Sequence, residues 1–420
     1  MPKGLSNVHR CMLLICLWLA SITLGCREGY RYPLSNENSS EIADSDHTSE
    51  VIPPQTVETE IDSNVSQWST PKTRLLRLTT TQFLAKVENL FGQNARPTTN
   101  LPKDLVIEGS ISLGTSKSVT TERDSELYAT ISEEVAEAVV NQTDLLEAFH
   151  PCFQERSDQF DQEVTDEESR NFWFGCLSNM SERAAQKIWG RSLNIEEGDS
   201  AYTLIGQGLG RLKIPQASFT FCLSWLLQSP HFLYRLEEVV EPNHLYTDQS
   251  LAKRLSYFLT DNPPDDTLLS ATDLKTMLGW QREVERLLDS PQLETGVRAM
   301  INDLWSLWKL DQLHLNKDPD IFEHLSAQLG NSAKEETLMT IWEATDSEAL
   351  FPSIFTQKRS YIDPRLAAVY EIPAPQREGF AWATIPDRSK RSGLLGQVSF
   401  LALNAHPTST SSTLRGYFIL

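Results

Sequence analysis

The sequence predicts an all-α protein, a multi-helix body of short helical hairpins with irregular connections after a disordered acidic N-terminal linker. Three observations predict it. Apolar residues recur at helical spacing in successive segments between Leu75 and Tyr370. After residue 120 no stretch alternates polar and apolar for long, so a large sheet is not expected. Proline and glycine cut the periodic stretches short.

The chain opens with a charged segment carrying Lys3 and Arg10, followed by the apolar Cys11–Gly25, too short to span a bilayer comfortably. Residues 1–26 therefore read as a secretory signal. Gly25 is small at the cleavage position, which makes Cys26 the candidate lipidated first mature residue, although Thr23 stands where a lipobox usually has Leu. A plain cleaved signal or an uncleaved anchor is the alternative. The expected address is the periplasm or cell surface, lipid-anchored to the outer membrane, with membrane contact only through this N-terminal anchor. Residues 27–72 are rich in Ser, Thr, Asn, Pro and acidic side chains without apolar period, as expected of a solvated tether.

From there the elements follow in order. Leu75, Leu78, Phe83, Val87, Leu90 and Phe91 keep helical spacing, and Gly92 stops the helix. Residues 93–122 read as irregular, and a long helix fits Glu126–Val140. Ala184–Trp189 lie on a helix leading to Leu193, and the glycine-rich Gly206–Gly210 reads as a loop between helices. Ala217–Glu237 is apolar nearly all round, a buried helix broken near Ser229 and Pro230. Thr247–Thr260 is amphipathic, with Asp248 as its N-cap and Leu251, Leu255, Phe258 and Leu259 as its core stripe. Further helices are expected at Trp280–Leu288, Leu293–Leu310, Ser332–Glu343 and Pro364–Tyr370.

The balance of 37 basic against 57 acidic residues gives a formal net charge of −20. That field disfavours nucleic acid and anionic lipid headgroups as partners. Of six cysteines, three belong to the signal region; Cys152 and Cys176 are the natural disulfide pair of an exported chain, and Cys222, in an apolar run, reads as a buried thiol.

Sites with chemistry are few. The eight histidines include no i, i+3 or i+4 pair, and there is neither an HExxH nor a Cys-x-x-Cys, so His406 beside Pro407 is only a weak candidate metal or axial ligand. Arg391 and Arg415 could pair with an anion or a haem propionate. Asp261, Asp265 and Asp266 crowd one turn, where helix capping is a better use than calcium binding. Trp305 and Trp308 sit at i, i+3 on an apolar stripe, as core or as a sugar-stacking platform. No nucleophile elbow or phosphate loop is present, and catalytic residues are not assigned.

Four segments carry a resemblance. Leu75–Gly92 (LLRLTTTQFLAKVENLFG) resembles an "RLT…EY…DLLG" opening helix, and Leu223–Glu237 (LSWLLQSPHFLYRLE) an "LLxSPxFLYRxE" signature. Leu251–Leu269 (LAKRLSYFLTDNPPDDTLL) is similar to "LAxRLSYFLWxxxPDDxLL", and Arg391–Leu420 to "RxGLLTQxSxLxxxxxPxxTSPVxRGxxVL". These are signatures of multidomain secreted proteins built from planctomycete secreted domains and planctomycete cytochrome C domains. The resemblance implies helical modules at 73–150, 151–240 and 245–375, and the start of a cytochrome-C-type module at 389–420, where the chain stops. It also implies a redox-associated assembly role with cytochrome-bearing envelope proteins as partners. The chain has no Cys-x-x-Cys-His for covalent haem, so its cofactor is left open. An exported oxidoreductase or hydrolase acting on an extracellular polymer, and a non-catalytic scaffold or degenerate paralogue, are the alternatives.

Overall fold

The computed structural model describes residues 73–240, 245–346 and 351–419. The signal segment, Cys26, the linker, His9, His47 and His244 lie outside the described residues. Within them the class is all-α: helices carry the body, and strands form only two-stranded ribbons. No described helix is long and apolar enough to cross a membrane.

Strand β1 (Arg74–Arg77) precedes helix α1 (Thr80–Phe91). Thr79 caps α1 by accepting from the Gln82 amide while the Gln82 side chain reaches back to the Thr79 amide. The helix therefore starts at Thr80, not at Leu75 as its apolar spacing suggested. The four residues before the cap satisfy their backbone across a ribbon with β2 (Tyr234–Glu237), Leu75 opposite Leu236. That pairing also ends the apolar run from Ala217 earlier than expected. Its helical part is Pro215–Gln228 plus one turn at Pro230–Leu233.

Between these strands lies the first core. Residues 93–122 are less irregular than the sequence suggested, because they contain α2 (Ile111–Lys117), capped by Ser110. Next come α3 (Glu122–Val140), α4 (Thr143–Phe149), α5 (Glu167–Trp189), α6 (Ile195–Arg211) and α7 (Pro215–Gln228). Gly206–Gly210 is part of α6, not a loop. A Cβ on Gly208 would stand 2.9 Å from the Ser218 Cβ, so glycine there lets α6 and α7 cross closely. Trp173, Phe219 and Phe232 are fully buried among these helices, and the segments 73–150 and 151–240 share this one hydrophobic cluster. Cys152 and Cys176 are joined by a disulfide, which ties the turn Cys152–Glu155 to α5.

The second core follows a small ribbon of β3 (Val239–Val240) with β4 (Leu245–Tyr246). Helix α8 (Asp248–Thr260) is capped by Thr247, one residue before the expected Asp248. It divides its buried surface, giving Tyr257 to the first core and Ala252, Leu255 and Leu259 to the second. Serving two cores rotates Phe258 outward, where it is 60% exposed instead of lying on the core stripe. Then follow α9 (Met277–Leu288), α10 (Leu293–Leu304) and α11 (Leu329–Asp346). The helix expected over Leu293–Leu310 breaks where Ser306 adopts the left-handed conformation, and a 3-10 turn continues from Leu307. Strands β5 (Arg359–Ile362) and β6 (Ala381–Thr384) pair around α12 (Pro364–Val369). The C-terminal helices are α13 (Val398–Leu403) and α14 (Ser412–Ile419).

Gly296 on α10 fixes how closely α10 meets α8: a Cβ there would fall 1.9 Å from the Leu259 carbonyl oxygen. We expect Gly296→Ala to lower stability by about 1–3 kcal/mol in urea denaturation, the usual cost of overpacking. Gly416→Ala, with open space around it, should stay within about 0.5 kcal/mol of wild type. Equal behaviour of the two variants would contradict this packing.

Candidate functional site

The strongest concentration of buried polar groups lies on the inner face of α11. Ser332, Glu336 and Thr340 follow one another at four-residue spacing, with Thr337 beside them, and all four are buried. Glu336 is at 0% exposure. Tyr370, just past α12, donates from its hydroxyl to both carboxylate oxygens of Glu336, at 2.7 and 2.9 Å. Ser360 of β5 donates to Glu336 Oε1 as well. The Tyr370 hydroxyl in turn accepts from the Val398 amide at 3.2 Å.

Gln397 closes the network from the C-terminal segment. Its Nε2 donates to Thr340 Oγ1 at 2.8 Å and its Oε1 accepts from Thr337 Oγ1 at 2.9 Å. Arg391 lies with its guanidinium 5.2 Å from the Tyr370 ring centre and donates to the Gly396 carbonyl at 3.2 Å. Gly393, at φ +55°, brings this turn against the Phe355 backbone, where a Cβ would come within 2.2 Å. Glu336, Tyr370, Arg391 and Gln397 line a cavity of about 10 Å³. That is room for one water and no more.

Burial pushes the Glu336 carboxyl up to about 7; the hydrogen bonds from Ser360 and Tyr370 and the charge of Arg391 hold it from rising further, while Asp363 adds to the rise. Burial and the neighbouring Glu336 push the Tyr370 hydroxyl well above its usual range. Chemically the arrangement holds one proton on a carboxyl near neutrality, with room for one water beside it. Its size leaves no place for a substrate.

The sequence-derived candidates are scattered. Arg391 is in the site. His406 is exposed, and its carbonyl and that of Ala405 accept from Lys317. Arg415 lies on α14, with its amide bonded to Ser411. Trp308 donates from its indole to the Gly109 carbonyl and Trp305 packs edge-on against Phe418, so neither forms a free platform. Asp265 caps the turn Asp266–Leu269 and takes a two-point ion pair from Arg286. Burial pushes the Cys222 thiol up to about 12. Among the described residues no group of three or more His, Cys, Asp or Glu is arranged to hold a metal ion. Glu336 and Tyr370 belong to no motif; their signal in the sequence is the polar spacing Ser332, Glu336 and Thr340 on the helix expected over Ser332–Glu343.

A second buried carboxylate joins the two cores. Glu237, at 0% exposure on β2, lies 2.9 Å from Arg235 Nε and 2.5 Å from Arg254 Nη1 of α8. Residues 246–372 match the family described as PSD4, protein of unknown function (DUF1592). No curated protein and no solved structure matches the chain. The match begins at β4 and ends just beyond Tyr370, so Glu336, Ser360 and Tyr370 lie inside it and Arg391 and Gln397 outside.

The sign of the pH effect follows from the raised carboxyl. Between about pH 4.5 and 7 the folded chain keeps a proton on Glu336 that the unfolded chain has released. Its contribution is complete below that window and falls as pH rises through it, by roughly 3 kcal/mol in total. Glu336→Gln, which stays neutral, should therefore gain about 2–3 kcal/mol relative to wild type between pH 5 and pH 8. Parallel pH profiles in urea denaturation would contradict the assignment.

Proposed function

We propose, on the premise that residues 246–372 form a PSD4 domain, that this chain is an exported, envelope-attached assembly module for redox partners. The observation that carries export is the Cys152–Cys176 disulfide within the first core. Such a bridge forms and persists in an oxidising compartment. The signal-like N-terminus with Cys26 at its end points the same way.

An assembly role, in preference to turnover, is supported by how the polar residues are used. The cavity beside Glu336 has room for one water, and the signature residues Glu237, Arg254 and Gln397 are engaged in holding segments together. The proposed partner class is a cytochrome-bearing envelope protein. It rests on the resemblance of Arg391–Leu420 to a cytochrome-C-type module and on the −20 net charge, which would steer a basic partner.

Two measurements test the reading in an exporting host that matures cytochromes. Wild type should fractionate with membranes and Cys26→Ser should be released; equal fractionation would sink the lipid anchor. Protein isolated at low salt should carry a Soret absorbance of defined stoichiometry that washes away at high salt. Its absence at low salt would remove the cytochrome partnership.

A further inference from the structure

Away from the Glu336 cavity, a cluster of cations sits where α8 meets the first core. Gln249 on α8 donates to the Gly190 carbonyl at 3.3 Å, and Tyr257, two turns on, belongs to the first core. Lys253 lies midway on that same face, four residues from each. It is thus aimed at the turn after α5, which carries Arg191. From α1, Lys86 reaches the same place: its ammonium donates to the Phe232 carbonyl at 2.9 Å and the His231 carbonyl at 3.4 Å.

Arg191 and His231 form the outer wall. Glu197 holds the guanidinium through two bonds, at 2.8 and 2.7 Å. Arg191 Nη2 stands 2.7 Å from His231 Nε2, so the imidazole accepts there and is neutral. The Trp189 ring backs both groups, 5.1 Å from the imidazole and 5.2 Å from the guanidinium. The side chains of His231 and Arg191 retain 20% and 24% exposure, so the notch opens to solvent.

The charges do not balance. Lys86, Lys253 and Arg191 face two carboxylates, Glu197 and Glu238, and Glu197 is already engaged by Arg191. Lys253 has neither a hydrogen bond nor an ion pair among the described residues. Burial depresses both lysines; Lys253 further depresses Lys86, Arg191 and then Lys253 depress His231, and Glu238 partly offsets the fall at Lys253. This is a locally cationic, partly desolvated notch in a chain of net charge −20. An anion seated there would remove the repulsion.

We propose that the notch formed by Lys86, Arg191, His231 and Lys253 is a binding site for a phosphate or sulfate group, with Lys253 its principal ligand. A tetrahedral oxyanion fits better than a carboxylate. The planar fork of Arg191, which would clamp a carboxylate, is taken by Glu197, and the remaining donors approach from three separate elements. The inference stands independently of the assembly reading above.

Titration calorimetry of the mature exported protein at low salt, with inorganic phosphate and then sulfate, tests it. One saturable site per chain is expected, weakened at least tenfold by Lys253→Met and unchanged by Lys309→Met at an exposed position in the 3-10 turn after α10. Phenyl phosphate binding as tightly as inorganic phosphate would assign the group to an organic monoester; binding of the inorganic ion alone would assign a free anion. Because Lys253→Met could unsettle the joint, wild type should also be labelled by reductive methylation with and without phosphate. Selective protection of Lys253 by phosphate supports the site. No saturable binding, or equal methylation of Lys253 in both conditions, overturns it.

Discussion

Everything between the two cores depends on how Glu237 is buried. A carboxylate with no exposure is tolerable only with counter-charges in contact, and Arg235 and Arg254 supply them from β2 and α8. Removing one partner of such a group typically costs about 3–5 kcal/mol, because the remaining charge stays buried. The clamp also fixes geometry. Arg254 lies over the Tyr246 ring, so the ribbon entering the second core, the helix α8 and the ribbon closing the first core are set by one carboxylate.

Other contacts across this joint are polar too. Asp303 of α10 accepts from Ser110 and from the Ile111 and Ser112 amides, capping α2 from the other core. Gln82 donates to Asp261, whose carboxyl burial pushes up to about 6, and Asn89 donates to Asn262. Such contacts are directional, so they set orientation where apolar packing would permit sliding. At the other edge of the matched domain, Gln397 repeats the logic by binding Thr337 and Thr340 of α11. The residues 246–372 are therefore held at both ends by polar groups from outside them.

The helices were legible in the sequence because their apolar period reports one-sided burial, and so were the pairing candidates Cys152 and Cys176. What stayed hidden was set by partners far along the chain. Leu75 and Leu78 keep helical spacing with Phe83, yet a cap at Thr79 and a ribbon partner at Leu236 override it. Gly206–Gly210 reads as a loop until the close crossing with Ser218 is known. Phe258 lies outside only because α8 serves two cores at once. In the candidate site, Arg391 was visible as a cation that could pair with an anion. Glu336 was concealed inside an acidic-looking helix, where Glu335 pairs with Arg298 and Glu336 turns to the core.

Three buried charges in this chain meet the same physical demand in three ways. Glu237 keeps its charge by contact with two arginines. Glu336, with Tyr370 and Ser360 as its near neighbours and no cation in contact, meets it by holding a proton up to about pH 7. Both answers are internal, made by groups of the chain itself that are buried with the charge. Lys253 differs: burial depresses its ammonium, Glu238 pulls it back and Arg191 depresses it further, and it has no hydrogen bond or ion pair of its own among the described residues. A group in that condition either gives up its proton or acquires an anion. The notch is open to solvent at His231 and Arg191, so the second course is available there in a way it is not at Glu336.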